Sequence, residues 1–308
     1  MLPITDQTNL RTLLDAQLSA APQQERYFQR RFLDIEASEI EFLEEIAAYI
    51  AAVAGTDADQ FIQDYVWLCQ MQVDEELYFR RNKRYRLSTL QQAIDDVYSN
   101  KDFMTRYMNG LLMTQLWWSN HTSVLRYFRD QYLPSVKLNA RHLEIGPGHG
   151  LQVFLAAQQP RIAEAVTWDL SPASISLTEE CLARLQPRIP VQCILENMFD
   201  AKGDTKFDSI VFSEVLEHME KPGEALQLLS GLLTSEGQVF INMPINSAAP
   251  DHLFNTDTPE ELFDFIGSNG LKIVQSAIYP ATGNSLERSR RKRLTINCVA
   301  VCKSAASE

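Results

Sequence analysis

No stretch of the chain approaches the roughly 18 uninterrupted apolar residues that a membrane-spanning helix needs. No Cys-x-x-Cys pair occurs, and the five cysteines, Cys69, Cys181, Cys193, Cys298 and Cys302, are odd in number and scattered. That distribution argues against a disulfide framework and for reduced thiols. Positive charge is scarce as well: 28 Lys and Arg stand against 40 Asp and Glu, a net charge of -12. A nucleic-acid backbone needs a field of Lys and Arg, so no nucleic-acid partner is expected. The one basic run, Arg288 to Arg293, reads as a solvated loop. Met1-Leu2-Pro3-Ile4-Thr5-Asp6 has neither a basic stretch nor an apolar one. There is no internal repeat and no low-complexity tract. These absences lead to the expectation of a cytoplasmic protein with no membrane partner.

What is present divides in two. At 308 residues the chain has room for two domains. Up to about residue 133 the apolar spacing is helical throughout. Arg26 to Ala54 reads as one helix ending at Gly55, and Asp57 to Arg80 as the next. Ser88-Thr89-Leu90-Gln91 has a capping-box pattern opening a short helix. Lys101 to Tyr132 is the last long helical run, stopped by Pro134.

Beyond it the pattern alternates. Residues 141–145, Ala165 to Trp168, Val191 to Leu195, Phe207 to Phe212 and Gly237 to Met243 read as strands. Helices are expected at 151–158, from Ser171-Pro172 to Leu185, over Gly223 to Leu233, and from Thr258-Pro259 to Ser268. Leu271 to Ser276 and Leu294 to Cys302 close the list of strands, with no helical pattern between them. The expected fold is α/β: a Rossmann-like, seven-stranded, mostly parallel sheet with an antiparallel last strand, preceded by an all-α N-terminal domain. The boundary is placed between domains of residues 1–135 and 136–308.

His142-Leu143-Glu144-Ile145-Gly146-Pro147-Gly148-His149-Gly150 carries the chemistry. A strand ends on an acid and turns through three glycines into a helix, and glycine lets a ligand approach the backbone closely. The spacing is Glu-x-Gly-x-Gly-x-Gly, not the Gly-x-Gly-x-x-Gly of dinucleotide sites. Asp169 follows Gly150 by 19 residues, at the end of the second strand, where a carboxylate reaches both hydroxyls of a ribose. Leu170 suits a purine face, Asn197 an exocyclic amine, and Met198 the cover of the ring. Ser213 ends the fourth strand beside the same crevice. Glu144 also suits capping of the turn, and Asp169 also suits the start of the helix at Ser171.

With these segments in order, together with Phe207-Asp208-Ser209-Ile210-Val211 and Glu214-Val215-Leu216-Glu217-His218, the chain resembles the class I S-adenosylmethionine-dependent methyltransferases over roughly residues 136–302. The resemblance implies S-adenosyl-L-methionine as cofactor. It puts the methionine part on Glu144, Gly146, Gly148 and Gly150, the ribose on Asp169, adenine on Asn197 and Met198, and the amino-acid end near Ser213. The family commonly has Asp where Asn197 stands. A helical lid is also common in such proteins. Tyr85, Tyr107, Trp117 and Trp118 are candidates to face the sulfonium cation, with His252 on the loop after the fifth strand as a substrate contact. His121, Asn120 and His149 are the candidates to orient or deprotonate an acceptor. Glu217-His218 reads as packing of the fourth loop, and no metal is expected: the helical half has no Glu-x-x-His pair.

The activity implied is methyl transfer to an oxygen or nitrogen of a small molecule in specialised metabolism. Two alternatives remain at this point. One is a lyase or cyclase that uses the aminobutyl arm of the cofactor and releases methylthioadenosine. The other is a non-catalytic cofactor-binding subunit, with the helical half as a partner or homodimer surface.

Overall fold

The computed structural model describes residues 8–201 and 205–307; the N-terminal segment Met1–Asp6 discussed above lies outside them. Seven strands form one sheet: β1 (Ala140–Ile145), β2 (Ile162–Asp169), β3 (Val191–Leu195), β4 (Phe207–Ser213), β5 (Leu233–Ile245), β6 (Leu271–Pro280) and β7 (Ile296–Ser304). Their order is β3-β2-β1-β4-β5-β7-β6. The first five run parallel, and β7 runs antiparallel to both β5 and β6. The strand order reverses between β1 and β4, the topological switch point where open α/β sheets bind ligands.

Before the sheet come α1 (Thr8–Ala20), α2 (Glu25–Arg31), α3 (Ala37–Ala54), α4 (Ala58–Asn82), the single turn α5 (Leu90–Ala93), α6 (Lys101–Trp117), α7 (Ser119–Tyr127) and the short α8 (Leu133–Ser135). Within and after the sheet come α9 (Leu151–Gln158), α10 (Pro172–Leu185), α11 (Pro222–Leu232), α12 (Pro259–Ser268) and α13 (Leu286–Lys292). The caps explain several starts. Ser171 Oγ accepts from Ser174 N at 3.3 Å with Pro172 in the first turn, and Thr258 Oγ1 accepts from Glu261 N at 3.2 Å.

Alternation along the buried strands divides the core. Ile210, Phe212, Ile241, Met243, Cys298 and Ala300 face α11 and α12, where Leu226, Leu229, Leu262 and Ile266 meet them. Val211, Phe240, Val299 and Val301 face the other way, into a core that also contains Phe28, Ile46, Trp117, Phe128 and Tyr132 of the helical half. That half therefore packs directly on the sheet. The five cysteines are free thiols. Among the described residues no helix is long and apolar enough to cross a membrane.

Three expectations need correction. The helix expected over Arg26 to Ala54 breaks after Arg31, where Asp34 takes a left-handed φ of 55°. The run from Lys101 breaks at Trp118, with φ -98° and ψ 112°. Tertiary partners take the backbone groups that the break releases: Tyr27 Oη donates to the Trp117 carbonyl at 2.7 Å, and Ser119 N donates to Thr282 Oγ1 at 2.7 Å. The basic run after Glu287 is not a loop but most of α13, capped by Ser285, with Arg290 paired to Glu260 at 2.6 Å and Arg293 to Asp257.

Tyr132 fastens the helical half to the sheet. Its ring lies 5.7 Å from that of Phe128 and 5.3 Å from that of Phe240. Its buried hydroxyl is 2.9 Å from Ser209 Oγ, 3.0 Å from the Ile210 carbonyl and 3.1 Å from the Gln238 carbonyl. Tyr132→Phe keeps the ring contacts and removes the hydroxyl, so stability should fall by ~1–2 kcal/mol. Urea unfolding at constant m-value checks this; an unchanged midpoint would mean that the hydroxyl is not a fastener.

Candidate active site

The loops after β1, β2, β3 and β4 meet residues of the helical half around one cavity of about 230 Å3. β1 runs straight into the glycine turn. Gly146, Gly148 and Gly150 have φ of 69°, 53° and 79°, the left-handed region that a side chain disfavours. A Cβ on Gly146 would also lie only 2.8 Å from Val215 Cγ2. Gly150 caps α9, so the turn ends at free amide N–H groups of a helix N-terminus. Beneath the turn Glu144 is buried, and its Oε2 has no hydrogen-bond partner. Burial holds its carboxyl well above the usual range.

At the end of β2 the Asp169 carboxylate is anchored from below. Oδ1 accepts from Ser171 N at 2.8 Å and Oδ2 from Ser174 Oγ at 2.6 Å. Burial raises its pKa, and these bonds oppose the rise. Each oxygen keeps a second lone pair for a ligand hydroxyl. Leu170 and Phe199 expose apolar faces to the same space. After β3, Asn197 Oδ1 accepts from Phe199 N at 3.1 Å and fixes the turn that buries Met198. At the end of β4, Ser213 Oγ accepts from Asn242 Nδ2 at 3.1 Å.

The wall from the helical half is formed mainly by Tyr98, Met104, Tyr107, Met108, Leu111 and Val124. His121 of α7 belongs to it too. Thr114 Oγ1 donates its proton to the Leu111 carbonyl at 2.6 Å, so it accepts from His121 Nδ1 at 2.8 Å. That tautomer leaves Nε2 with a lone pair. Burial lowers the His121 pKa to about 3, so the ring is neutral at ordinary pH. His149 accepts from Leu151 N at 3.2 Å through Nδ1, and burial lowers it to about 4.

Of the residues singled out in the sequence, Tyr107, His121, Gly146, Gly148, His149, Asp169, Leu170, Asn197, Met198, Ser213 and His252 line the cavity. Glu144, Gly150, Tyr85, Trp117, Trp118 and Asn120 do not. Trp117 is fully buried, edge-on to Phe28 at 5.1 Å, and Trp118 donates to Tyr65 Oη at 3.1 Å and packs on His121 at 4.9 Å. Tyr85 Oη donates to the Ser247 carbonyl at 2.8 Å. Asn120 Nδ2 donates to Asn297 Oδ1 at 2.7 Å. Asn297 Nδ2 donates in turn to Glu214 Oε1 at 2.6 Å.

Sequence reasoning read His218 as packing of the fourth loop and gave no site role to Glu214, Asn242, Asp251 or Asn297, yet all five line the cavity. A signal existed for two of them: Asn242 and Asn297 interrupt otherwise apolar, buried strands. Asp169, Glu196, Glu214 and Asp251 bring carboxyl groups to the wall, and among the described residues no lysine or arginine lines it. The cavity is thus suited to a cation. With its left-handed glycines and the free lone pairs of Asp169, it fits a nucleoside carrying a positively charged tail.

The methyltransferase-domain family matches the chain over residues 117–271, half of its length. The chain belongs to the class I S-adenosylmethionine-dependent methyltransferases. Its fold is similar to that of the O-methyltransferase NcsB1 from neocarzinostatin biosynthesis, solved with S-adenosylmethionine and 2-hydroxy-5-methyl naphthoic acid: TM-score 0.55, 13% identity, 81% of this chain and 74% of that one. It is similar also to the mitomycin 7-O-methyltransferase MmcR, with TM-score 0.53, 10% identity, and coverage of 88% of this chain and 76% of that one. No curated protein matches the chain in sequence.

For this methyltransferase, Gly146→Ala should keep the fold at a cost of ~1–2 kcal/mol for the left-handed backbone. It should weaken S-adenosylhomocysteine binding at least tenfold, because Val215 must shift into the cavity. Calorimetry with a parallel thermal melt decides; unchanged affinity in the folded variant would remove the turn from the binding site.

Proposed function

We propose that the chain methylates an oxygen or nitrogen of a small, largely apolar acceptor. The observation that supports this best is the neutral His121, on the wall from the helical half of the cavity that the glycine turn and Asp169 also line. When bound, S-adenosylmethionine supplies a methyl group on a sulfonium sulfur, which an acceptor takes in line. The protein's own part is to position both reactants and exclude water.

In this reading the glycine turn and Glu144 take the amino-acid end, Asp169 the ribose hydroxyls, and Leu170, Asn197, Met198 and Phe199 the base. Residues 136–308 form the cofactor half and 1–135 the lid and acceptor half. His121 Nε2 accepts the hydrogen bond of the acceptor's hydroxyl or amine and turns its lone pair toward the methyl. Protonation of so deeply buried a ring is disfavoured, so it serves to orient more than to hold a proton. His149 is the second candidate for that contact, and Asn120 acts at one remove by fixing Asn297. Two fold relatives carry small-molecule names from neocarzinostatin and mitomycin chemistry, which supports specialised metabolism as the setting. The acidic surface argues against nucleic acid, and a homodimer through the helical half is compatible with the site.

Methyl-labelled S-adenosylmethionine with a panel of phenols and amines tests the reaction. Label in the acceptor and formation of S-adenosylhomocysteine are expected; methylthioadenosine as the product would replace methyl transfer by chemistry at the aminobutyl arm. Asp169→Ala should weaken binding of S-adenosylhomocysteine by ~1–3 kcal/mol through the lost bonds to ribose. Equal affinity in calorimetry would refute that role.

A further inference from the structure

Glu217, His218 and His252 each bring one lone-pair atom to a common point, with these atoms within 4.8 Å of one another. Neither histidine uses a proton there. His218 Nδ1 lies 3.0 Å from the Asp251 carbonyl, and His252 Nδ1 lies 3.0 Å from the Ser247 carbonyl. A carbonyl only accepts, so each Nδ1 carries a hydrogen, and in the neutral imidazole each Nε2 is then bare. Glu217 is wholly buried, and neither of its carboxylate oxygens has a hydrogen-bond partner. Its Oε1 is 4.0 Å from His218 Nε2, too far for a hydrogen bond. With Glu217 ionised, three acceptors converge with no donor between them, beside a wall that no lysine or arginine lines among the described residues. Burying an unpaired carboxylate in this way is costly unless a cation joins it.

The surroundings keep the three groups together. Leu253 N and Phe254 N donate to the Glu217 carbonyl at 2.7 and 2.9 Å, which ties the loop carrying His252 to Glu217. Tyr85 donates to the same Ser247 carbonyl at 2.8 Å, and Gln72 Nε2 to the Ala248 carbonyl. Backbone carbonyls behind each ring are the usual partners of metal-bound histidines.

We infer that Glu217, His218 and His252 bind a divalent transition-metal cation at the wall of the cavity. Two imidazole nitrogens and one carboxylate favour Zn2+, Fe2+, Co2+ or Mn2+ over the all-oxygen sites of Mg2+ and Ca2+. At bond lengths of about 2.1 Å, each ligand atom moves inward by less than about 1 Å. Three protein ligands leave coordination positions open. Because His218 and His252 line the cavity and Glu217 does not, those positions face the cavity. The ion takes the acceptor's oxygen as a ligand, a role that rests on the methyl-transfer reading, whereas the site itself does not.

The purified chain is stripped with a chelator and titrated with Co2+, read by visible absorption, and with Mn2+, read by electron paramagnetic resonance. One ion per chain is expected. Glu217→Gln and His252→Gln, each shown folded by a thermal melt, should bind it about 100-fold more weakly or not at all. Failure of the wild type to bind one equivalent at millimolar Co2+, or full affinity in either folded variant, overturns the site. Zinc X-ray absorption on the wild type decides the matter should the variants not fold: a shell of two imidazole nitrogens plus oxygen is expected, and a sulfur or all-oxygen shell overturns the assignment. Calorimetry with S-adenosylhomocysteine on the same stripped protein separates the two readings. Cofactor binding without metal binding refutes the metal site alone, and metal binding without cofactor binding refutes the cofactor assignment alone.

Discussion

The carboxylate of Glu214 is the interaction on which the site's construction depends. It follows β4 directly, in a left-handed φ of 55°, and its amide donates to the Asn242 carbonyl at 2.8 Å. Oε1 accepts from Asn242 Nδ2 at 2.7 Å and from Asn297 Nδ2 at 2.6 Å. Burial raises its pKa while the two amides pull it back. Asn297 passes the connection to Asn120 of α7, so one carboxylate joins β4, β5, β7 and the helical half. In a low-dielectric interior each such donor would cost ~1–3 kcal/mol if left unpaired. The strained backbone at Glu214 is offset by these two bonds.

From that junction the rest of the cavity is built outward. Four strand ends supply the half proposed to hold the nucleoside. Side chains of α4 and α6 reach across to the loop after β5: Gln72 holds Ala248, and Tyr107 Oη lies 3.4 Å from Asp251 Oδ1. Tyr85, between α4 and α5, holds Ser247. The helices are more than a cover. They set the conformation of the segment that carries Asp251 and His252, while the Glu217 carbonyl holds its far end. The shape of the cavity is therefore coupled to the packing of Trp117, Phe128 and Tyr132 against the sheet.

Most of this architecture was legible because its signals are local. The parallel strands announce themselves as short apolar runs between capped helices, and the glycine turn needs its three left-handed residues wherever it occurs. The breaks at Asp34 and Trp118 were not legible. Nothing near Trp118 in sequence forbids a continuous helix; Tyr27 and Thr282, far away in the chain, supply the bonds that make the break affordable. α13 escaped notice because it is short and nearly all charged, so it shows no apolar period; Ser285 and the pairing of Arg290 with Glu260 form it instead. The candidate site divides in the same way. The residues proposed to hold the cofactor sit at fixed offsets from strand ends, whereas Glu214, Asn242, Asn297, His218 and His252 meet only through the sheet's register and a loop held by other side chains.

The electrostatics of the cavity also bear on rate. A full negative charge 4 Å from a sulfonium would stabilise it by ~4 kcal/mol at an effective dielectric of 20. Methyl transfer disperses that positive charge, so stabilisation of this size in the ground state would raise the barrier. Burial moderates the effect. Asp169 and Glu214 on the cavity wall both have carboxyl pKa values raised by desolvation, which weakens their hold on charge. Tyr98 and Tyr107, whose phenols burial also shifts upward, present neutral aromatic rings. A wall of desolvated carboxyls and neutral rings recognises a cation without fixing it so firmly that the charge cannot leave.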